Sequence, residues 1–515
     1  MIILYHNGKD VVEMANANAL GVATVGGRSI AVVLFEIAQA HPKELLLWCH
    51  QDLKEQFNRQ EIGNLFHHHK LLLSYNPSDT PFLGENIGYI DASLFIRANK
   101  QVPYASWQMS SAVGGIQAAV LLALNNAIPM DANFDYFLCS LAKLLMPKGL
   151  LCYSEPRLLK SHSKSVAPKT SSYTLFRFVK QHYRIRWVFL LLLNLFLYER
   201  KFPLLPFLFS FFHKNRNKIN IDLEAIKVQS SRKVVDQATV DVIIPTIGRK
   251  DYLHAILEDL KAQTQLPANV IVVEQNPDEG STSELDYLTT AAWPFAIKHT
   301  FTHQAGACNA RNIALSQITS EWVFFADDDI RIGVDFIQKA LEKINDFGAE
   351  AVSFKCLLKG QKQRNTTVFQ WSSFGSGCSF ALAEILKNCS FNRGYEFGFG
   401  EDGDFGMQLR HQGHDVLYLP EPEILHLKAP VGGFRTKPTL QWQNDDIQPK
   451  PSPTVMLYQL LHTTPAQTNS YKTTLFLKYY RLQKIKNPIR YYCTFQKQWA
   501  RSVFWANKLK RQNEI

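Results

Sequence analysis

Apolar residues in the second half of the chain alternate between short runs typical of buried strands and segments with the helical period of 3.6 residues. Leu253, Ile256, Leu257 and Leu260, for example, fall on one helical face. This succession predicts βαβ units, and therefore a mainly parallel sheet with right-handed crossovers. The predicted strands are residues 240–245, 270–274, 322–326 and 351–354, and the predicted helices are residues 252–260, 308–318 and 335–345.

The first 165 residues show a similar alternation and predict a second α/β domain. Strands are expected at residues 2–5, 45–48, 70–74 and 88–95, with a helix at 30–40. Because residues 1–5 lack a basic leader and predict a strand, we expect no secretion signal.

A weak internal repeat links the two halves. The segment 134–156, which begins Phe-Asp-Tyr-Phe, resembles the segment 404–422, which begins Asp-Phe, although gap lengths within the segments differ. If this repeat reflects a duplication, the first copy lacks the acidic triplet described below, and we expect it to be non-catalytic.

Between the halves, residues 187–212 form two apolar runs separated by Glu199, Arg200 and Lys201. Each run is well short of the ~20 apolar residues that a spanning helix needs, and three charges near mid-membrane would be costly. Flanking bases favour an interfacial hairpin in the plane of a membrane surface. A buried helical pair is the main alternative, and a spanning hairpin is the least favoured. The flanking bases are Arg177, Lys180, Arg184, Arg186, Lys214, Arg216 and Lys218.

Length and composition favour a multidomain protein with reduced thiols. The chain has 515 residues, 46% of them hydrophobic and 20% charged, so two or three folded units are expected. Its eight cysteines include no CxxC pair, and without a secretion signal a cytosolic compartment is the default. His67, His68 and His69 predict a polar loop or strand entry rather than a metal site, because adjacent side chains on a strand point to opposite faces.

The net charge of +11 is concentrated at the end of the chain. Residues 478–515 contain ten Lys or Arg and one Glu, a net charge of +9. Aromatic residues are interleaved with these bases, which suits an anionic lipid surface or a nucleic acid. A helical extension with a solvated charged face is the plainer alternative, and we recognise no nucleic-acid-binding module.

The most informative feature is the acidic triplet Asp327, Asp328 and Asp329, which directly follows the apolar run 322–326. Ligands bind at the carboxyl ends of strands in open α/β sheets. Three adjacent carboxylates are costly unless a cation offsets their charge, and oxygen ligands of this kind favour Mg²⁺ or Mn²⁺. Taken alone, the triplet is equally consistent with a solvated acidic turn.

Three segments in order resemble family 2 glycosyltransferases with the GT-A fold. They are residues 241–249 (Asp-Val-Ile-Ile-Pro-Thr-Ile-Gly-Arg), the triplet, and residues 400–405 (Gly-Glu-Asp-Gly-Asp-Phe), with 306–312 (Gly-Ala-Cys-Asn-Ala-Arg-Asn) between the first two. The resemblance covers residues 239–440 and implies a Rossmann-like α/β domain that transfers a sugar from a nucleotide donor. We therefore expect an N-terminal α/β domain at 1–165, read as a degenerate GT-A copy, a basic and apolar connector at 166–235, the catalytic GT-A domain at 236–440, and a basic aromatic helical tail at 441–515.

The resemblance also implies a nucleotide site. Pro245, Thr246 and Arg249 would border the nucleotide. Glu274 would bind the base, or else be an ordinary surface acid. Arg311 would contact the nucleotide or diphosphate, or else pair with the acidic triplet.

A divalent cation is part of the same expectation. Asp327 and Asp328 would lie near the ribose, while Asp329, with Asp327 and His426, would hold Mn²⁺ or Mg²⁺. The cation would offset charge on the departing nucleoside diphosphate. For His426 a structural role is equally open.

Glycosyl transfer needs a base that takes the proton of the attacking acceptor hydroxyl. The resemblance assigns this role to Asp402, and direct attack with one base implies inversion at the anomeric carbon. Glu401 and Asp404 would hold the acceptor or cap the helix that begins there. Trp371 would offer an apolar face to a sugar ring. The other acceptor or phosphate candidates are Gly375, Ser376, Gly377, Lys428 and Arg435.

The leading hypothesis is an inverting, metal-dependent glycosyltransferase that uses a nucleotide-sugar, with UDP-sugars favoured, and acts on a glycan or lipid-linked acceptor in cell-surface polysaccharide synthesis. We expect a cytoplasmic protein in peripheral contact with the inner membrane face and no nucleic-acid partner. A nucleotidyltransferase is the second candidate, although we find no Gly-rich amino-terminal phosphate loop with Arg and Lys. A non-catalytic glycan-binding or scaffold protein is the third, and it stays open for the first domain.

Overall fold

The computed structural model describes residues 1–16, 25–78, 80–125, 127–161, 170–430 and 439–512. The chain divides into two compact units. The first comprises Met1–Arg232 and Thr463–Leu475, and the second comprises Lys233–His462 and Phe476–Ile515. The segment predicted as a connector thus falls almost wholly in the first unit, because Val188, Leu191 and Leu195 are buried in the core of that unit.

The first unit is an α/β domain built on an eight-stranded sheet with the order β3-β2-β1-β4-β7-β5-β8-β6. The pairs β1–β4 and β5–β8 are parallel, and the other neighbouring pairs are antiparallel. Its strands are β1 (Ile2–His6), β2 (Asp10–Asn16), β3 (Val25–Ser29), β4 (Leu45–His50), β5 (Leu71–Tyr75), β6 (Tyr104–Ala105), β7 (Val113–Gln117) and β8 (Leu151–Ser154), and its helices include α1 (Ile30–Ala40), α2 (Ile62–Leu65), α3 (Ala118–Leu122), α4 (Phe134–Leu145), α5 (Ser172–His182), α6 (Arg186–Glu199) and α7 (Leu204–Ser210).

One prediction for the first unit is wrong. Residues 88–95, predicted as a strand, instead belong to two short 3₁₀ helices at Glu85–Tyr89 and Leu94–Ile96 and the turn between them. The apolar side chains that suggested a strand, such as Ile90, are buried in the core from these turns. Local interactions favour turns over a strand here, because Gly84 adopts a positive φ of 70° and Asp91 accepts a hydrogen bond from the Ser93 N–H.

The second unit carries a nine-stranded sheet, and the predicted fold class is confirmed. The order is β11-β10-β9-β12-β16-β14-β17-β13, with β15 also paired to β17. Strands β11, β10, β9, β12, β14 and β17 run in one direction, and β16 lies antiparallel between β12 and β14. The strands are β9 (Val240–Thr246), β10 (Asn269–Gln275), β11 (Ala296–Thr302), β12 (Trp322–Ala326), β13 (Ile330–Ile332), β14 (Ala351–Leu358), β15 (Phe369–Gln370), β16 (Cys378–Leu382) and β17 (Leu417–His426).

Helices cover this sheet and continue into the basic tail, which is helical as predicted. They are α8 (Lys250–Lys261), α9 (Tyr287–Thr290), α10 (Ala307–Leu315), α11 (Phe336–Phe347), α12 (Ala383–Leu386), α13 (Glu401–His411), α14 (Pro453–His462), α15 (Pro465–Leu482, shared between the two units) and α16 (Pro488–Gln512). In the part of the chain that the structure describes, no helix is long and apolar enough to cross a membrane.

The position of the acidic triplet follows from this sheet. All five residues of β12 are buried, and β12 lies between β9 and β16. Strands β9, β10 and β12 are parallel, so their carboxyl ends meet at one edge. The triplet therefore lies beside the ends of β9 and β10, where Thr246 and Glu274 are found.

Candidate active site

The three carboxylates of the triplet differ in exposure. The side chain of Asp327 is 37% exposed, whereas Asp328 and Asp329 are buried. Nη2 of Arg311 lies 2.9 Å from Oδ1 of Asp327. A Cβ atom at Gly377 would collide with the Asp327 carboxylate, so this position requires the close approach that glycine permits.

Asp328 is held by the loop after β9. Its carboxylate accepts hydrogen bonds from Oγ1 of Thr246 at 2.7 Å and from Nη1 of Arg249 at 2.5 Å. Burial raises the pKa of Asp328 to about 6, against the opposing effect of Arg249. Two residues that the resemblance assigned to the donor site thus converge on one acid of the triplet.

Asp329 lies between the triplet turn and the end of β17. Its Oδ2 accepts a hydrogen bond from the Ala429 N–H at 2.9 Å, and its Oδ1 lies 3.4 Å from Nε2 of His426. Burial alone would raise the pKa of Asp329, but hydrogen bonds and the charge of Arg249 hold it below its ordinary value. The carboxylate in turn raises the pKa of His426.

These donors suit a divalent cation without forming a complete cage for one. Among the residues that the structure describes, no three His, Cys, Asp or Glu side chains converge as a ready metal site. Asp329 and His426 do supply an adjacent carboxylate and imidazole, and Asp327 presents a partly exposed carboxylate. Mg²⁺ and Mn²⁺ commonly complete their coordination with water and substrate phosphates, so the donor set fits such an ion.

Asp402 is the second residue of α13 and faces the loop before β16. Its Oδ1 accepts hydrogen bonds from the N–H of Ser376 at 3.2 Å and from the Ser376 Oγ at 2.5 Å. Burial raises the pKa of Asp402, while Arg311 and Ser376 oppose this rise. Arg311 is buried, and both Asp327 and Asp402 raise the pKa of its guanidinium. Arg311 thus couples the triplet electrostatically to the candidate base.

The other two acids of this motif have different surroundings. Asp404 is buried and accepts hydrogen bonds from Tyr395 Oη at 3.3 Å and Gln408 Nε2 at 2.8 Å, and it lies 2.7 Å from His462 Nε2. These contacts are those of a residue that anchors α13 to its neighbours. Glu401 is the first residue of α13 and half-buried; burial, and then the charge of Asp402, raise its pKa.

Glu274 lies at the carboxyl end of β10, as expected, but its carboxylate already has partners. It accepts hydrogen bonds from Ser283 Oγ at 2.5 Å and the Glu284 N–H at 3.2 Å, and it lies 3.0 Å from His299 Nε2. Pro245 is half-buried in β9, directly before Thr246. The structure thus brings Glu274 to the predicted edge without placing it among the triplet contacts.

The acceptor candidates surround the loop before β16. The Trp371 ring packs beside Phe369 and Tyr418, with centroids 5.4 and 5.3 Å away. The Gly375 N–H donates to Ser353 Oγ at 3.1 Å. Lys428 is exposed with a positive φ of 59°, and Arg435 lies outside the described residues.

Sequence reasoning missed Glu396. Its carboxylate accepts hydrogen bonds from the N–H groups of Cys308 and Asn309 at 3.1 Å each, at the start of α10. Gly306 is required beside it, because a Cβ there would collide with this carboxylate. Glu396 therefore caps the helix that carries Arg311. Its partners are almost 90 residues away along the chain, so no local sequence pattern predicts this contact.

Residues 241–398 match the family model described as glycosyl transferase family 2. The chain carries a family 2 glycosyltransferase domain. A protein of Haemophilus influenzae described as an uncharacterized glycosyltransferase is 30% identical over 105 residues, which is 20% of this chain and 34% of that protein. The chain therefore spans about a third of the length of this curated relative.

Solved structures also show similarity to the chain. Residues 1–349 of S. aureus TarS are 17% identical, with 51% of this chain and 91% of that chain covered and a TM-score of 0.34. GalNAc-T7 with UDP, GalNAc and Mn²⁺ is 12% identical, with 37% and 44% covered and a TM-score of 0.31.

Proposed function

We propose that the protein is an inverting, metal-dependent glycosyltransferase that moves a sugar from a nucleotide-sugar, with UDP-sugars favoured, to a hydroxyl of a glycan or lipid-linked acceptor. One observation carries the proposal: within the segment that matches the family, buried Arg311 lies against Asp327, and it is electrostatically coupled to Asp402 just after that segment. This juxtaposition supports a donor diphosphate site and an acceptor base as neighbours.

The donor nucleotide would lie over the carboxyl ends of β9, β10 and β12. Asp328 offers a carboxylate to ribose hydroxyls, and Thr246 and Arg249 hold it in place. Arg311 is buried, and its Nε has no hydrogen-bond partner among the residues that the structure describes, so a phosphate oxygen that accepts from it would satisfy this donor. Lys428 and Arg435 would add positive charge from the segment after β17.

Asp329, His426 and Asp327 would hold the divalent cation. A bound Mg²⁺ or Mn²⁺ would neutralise charge on the diphosphate and so improve it as a leaving group. The chain itself keeps Asp329 ionised, because His426, the Ala429 N–H and Arg249 all favour its charged form. Such a carboxylate is ready to bind a cation at neutral pH.

Asp402 would act as the base. As the acceptor hydroxyl oxygen bonds to the anomeric carbon, its proton passes to an Asp402 carboxylate oxygen, and the bond from the anomeric carbon to the diphosphate oxygen breaks. Both hydrogen bonds from Ser376 fall on Oδ1 of Asp402, which orients the carboxylate. Displacement in line with one base implies inversion.

The test is release of nucleoside diphosphate from a panel of nucleotide-sugars by the full chain, with Mn²⁺, Mg²⁺ or EDTA. We expect release from one donor, loss of release with EDTA, and at least a 100-fold loss in Asp329→Ala and Asp402→Asn. Asp402→Asn should still bind the donor. Asp335→Asn, an exposed aspartate of the same domain, is the matched control and should keep wild-type activity.

Other products would point elsewhere. A nucleotidyltransferase would form pyrophosphate from a nucleoside triphosphate and a sugar phosphate, which an enzyme-coupled phosphate assay detects. Absence of donor binding with every nucleotide and metal would contradict the transferase proposal and favour a glycan-binding protein.

We also propose that the first unit contacts a membrane surface through α6, α7 and the residues around them. Large apolar side chains are exposed here, including Phe212 at 83% and Phe202 at 60%. Arg184, Arg186, Lys201, Lys214 and Lys218 are exposed beside them. This arrangement supports in-plane association with anionic lipid, as on the cytoplasmic leaflet. The exposed apolar side chains are Ile185, Phe189, Phe196, Leu197, Phe202, Leu204, Leu205, Leu208, Phe209, Phe211 and Phe212.

Co-sedimentation with phosphatidylglycerol vesicles tests this surface. Replacing Leu205, Phe209 and Phe212 with Ser should reduce the bound fraction at least 10-fold, because about 25 cal/mol is lost for each Å² of apolar area withdrawn from lipid. Val334→Ser, an exposed apolar residue of the second unit, is the control. Unchanged sedimentation of the triple variant would contradict the surface. If the acceptor is carried on a lipid, this membrane contact would bring the enzyme to its acceptor. The proposed role in cell-surface polysaccharide synthesis would then take place at the membrane.

A further inference from the structure

The two sheets share one strand plan. In the first unit, β1, β4, β7, β5, β8 and β6 are neighbours in that order, and in the second unit β9, β12, β16, β14, β17 and β15 are neighbours in the same order. Each corresponding pair has the same relative direction, and the strands follow one another along the chain in the same sequence. Independent sheets rarely agree in order, direction and connectivity, so the first unit repeats this part of the second.

The strand register converts this likeness into residue pairs. The pairing of β4 with β7 ends at Cys49, which lies opposite Val113. The pairing of β12 with β16 ends in the same way at Ala326, which lies opposite Cys378. Two residues before those partners stand Ser111 and Ser376. The register thus pairs Ser111 with Ser376. The aspartates that these serines hydrogen-bond, Asp135 and Asp402, then correspond, so Asp135 matches Asp402 and not Asp404 as in the weak sequence repeat noted above.

The hydrogen bonds at this position agree. Asp135 is the second residue of α4, and its Oδ1 and Oδ2 accept from the Ser111 N–H at 2.7 Å and Ser111 Oγ at 2.9 Å. These are the two donors that Ser376 provides to Asp402. The N–H of the preceding residue, Ser110, donates to Ser74 Oγ at 2.9 Å, as the Gly375 N–H does to Ser353 Oγ at 3.1 Å.

Among the described residues of this unit, the donor half of the plan has no counterpart. Where β10 pairs with β9, β1 pairs instead with β2 of an antiparallel hairpin. The triplet is replaced by His50, Gln51 and Asp52, so only one carboxylate remains of three. The buried residues of α1, which precedes β4 as α10 precedes β12, are all apolar, and none corresponds to Arg311. Nothing in this set suits a metal-bound diphosphate.

What remains at the edge of the sheet is a group of polar side chains around Asp135. Nε2 of His6 lies 2.8 Å from the Ser111 carbonyl oxygen, and the rings of His6 and His50 lie 5.4 Å apart. Burial lowers the pKa of His6 to about 4, so this imidazole is neutral at pH 7. Asp135 itself is only half-buried, and burial raises its pKa. The Asp135 carboxylate is negatively charged and accepts hydrogen bonds, so it suits hydroxyl groups better than phosphates.

We propose that the first unit is a non-catalytic copy that binds a saccharide at Asp135, with His50 and Ser111 beside the bound hydroxyl groups. The assignment rests on the proposed function, because the ligand class follows from the role of Asp402 opposite an acceptor hydroxyl. A saccharide held here keeps the acceptor glycan on the protein between or during transfers. No bond is made or broken in this unit.

The test is binding of the full-length chain to a printed array of bacterial surface glycans. The Asp402→Asn protein should retain binding to at least one saccharide, and adding Asp135→Asn should weaken that binding at least 10-fold. Asp222→Asn, an exposed aspartate of the same unit, is the matched control and should leave binding unchanged. His50→Ala leaves the hydrogen bonds between Asp135 and Ser111 in place and should also weaken binding.

Each result decides the proposal. Loss of binding in both Asp135→Asn and His50→Ala, with an unchanged melting temperature in His50→Ala, supports it. Binding that survives both substitutions, or no saccharide bound by the Asp402→Asn protein, overturns it. Failure of the proposed function is seen separately, as absence of donor hydrolysis by the wild-type chain.

Discussion

The Nη1 atom of Arg249 lies 2.5 Å from Oδ1 of Asp328 and 3.4 Å from Oδ2 of Asp329. One guanidinium from the loop after β9 thus neutralises part of the charge on two adjacent, buried carboxylates after β12. The relationship explains how a folded domain holds adjacent carboxylates together. We therefore expect Arg249 to position Asp328 in the proposed donor site.

Arg249→Met should weaken UDP binding at least 10-fold, because Asp328 loses the partner that fixes its orientation and charge. Isothermal titration calorimetry with UDP and Mn²⁺ measures this change. Arg331→Met, which removes an exposed partner of Asp259, should leave UDP affinity within about 2-fold of wild type. Equal affinities for UDP in the two variants would contradict the role assigned to Arg249.

Ser376→Ala should move the acidic limb of the activity profile to higher pH. The Ser376 hydroxyl donates to Asp402 and stabilises its ionised form, so its loss raises a pKa that burial has already raised. The wild-type rate should fall as the pH drops through this elevated pKa, since protonated Asp402 cannot accept the hydroxyl proton. The measurement is kcat against pH.

The control for that profile is Ser281→Ala. Ser281 lies in an exposed loop, so its replacement should leave the acidic limb of the profile at the same pH. A limb that stays fixed in Ser376→Ala would show that another group sets the pH dependence. A fall in kcat of equal size at every pH would mean that Ser376 orients the Asp402 carboxylate without setting its pKa.

The sequence predicted elements best where an apolar run has clear limits. The bounds of β12 and α1 are as predicted, because Asp327 ends the first and Ser29 caps the second with its side chain. Contacts between distant segments were out of reach. The hydrogen bond between His462 and Asp404 joins residues 58 positions apart. The correspondence of Asp135 with Asp402 appears only from strand register together with the hydrogen bonds of Ser111 and Ser376.

Asp241 opens the first motif of the family resemblance, yet it lies at the opposite end of β9 from the triplet. Its carboxylate accepts hydrogen bonds from the N–H groups of Thr319 and Ser320, from Ser320 Oγ and from Asn269 Nδ2. Asp241→Ala should therefore destabilise the second unit by about 2–4 kcal/mol without altering the residues of the proposed donor site. Urea unfolding measures the loss.

The pH dependence of this loss has a definite sign. Burial would raise the pKa of Asp241, but its hydrogen bonds hold the pKa below the ordinary value. Its contribution is therefore present at neutral pH and declines as the pH falls below the unfolded value near 4. Asp335→Asn, at an exposed helical ion pair, should change stability by at most about 0.5 kcal/mol. A similar change in both variants would refute a structural role for Asp241.

Asp91 and Lys143 form a buried ion pair in the first unit, with Oδ2 and Nζ 2.5 Å apart. Trp107 Nε1 and Tyr183 Oη also donate to this carboxylate. Burial opposes ionisation, but Lys143 and the hydrogen bonds lower the pKa of Asp91 to about 2. Because the folded pKa lies below the unfolded value, the ionised form stabilises the unit by about 2 kcal/mol at pH 7, and this stabilisation is lost as the pH falls from about 4 to about 2.

Asp91→Asn should therefore lower the free energy of unfolding at pH 7, and the difference from wild type should shrink at pH 3. Urea unfolding followed by pulsed hydrogen exchange of α4 peptides reports on the first unit, because Lys143 lies on that helix. Asp222→Asn, which removes an exposed carboxylate, should change the unfolding free energy little at either pH. A deficit in Asp91→Asn that is as large at pH 3 as at pH 7 would mean that the side chain stabilises the unit through packing and not through its charge.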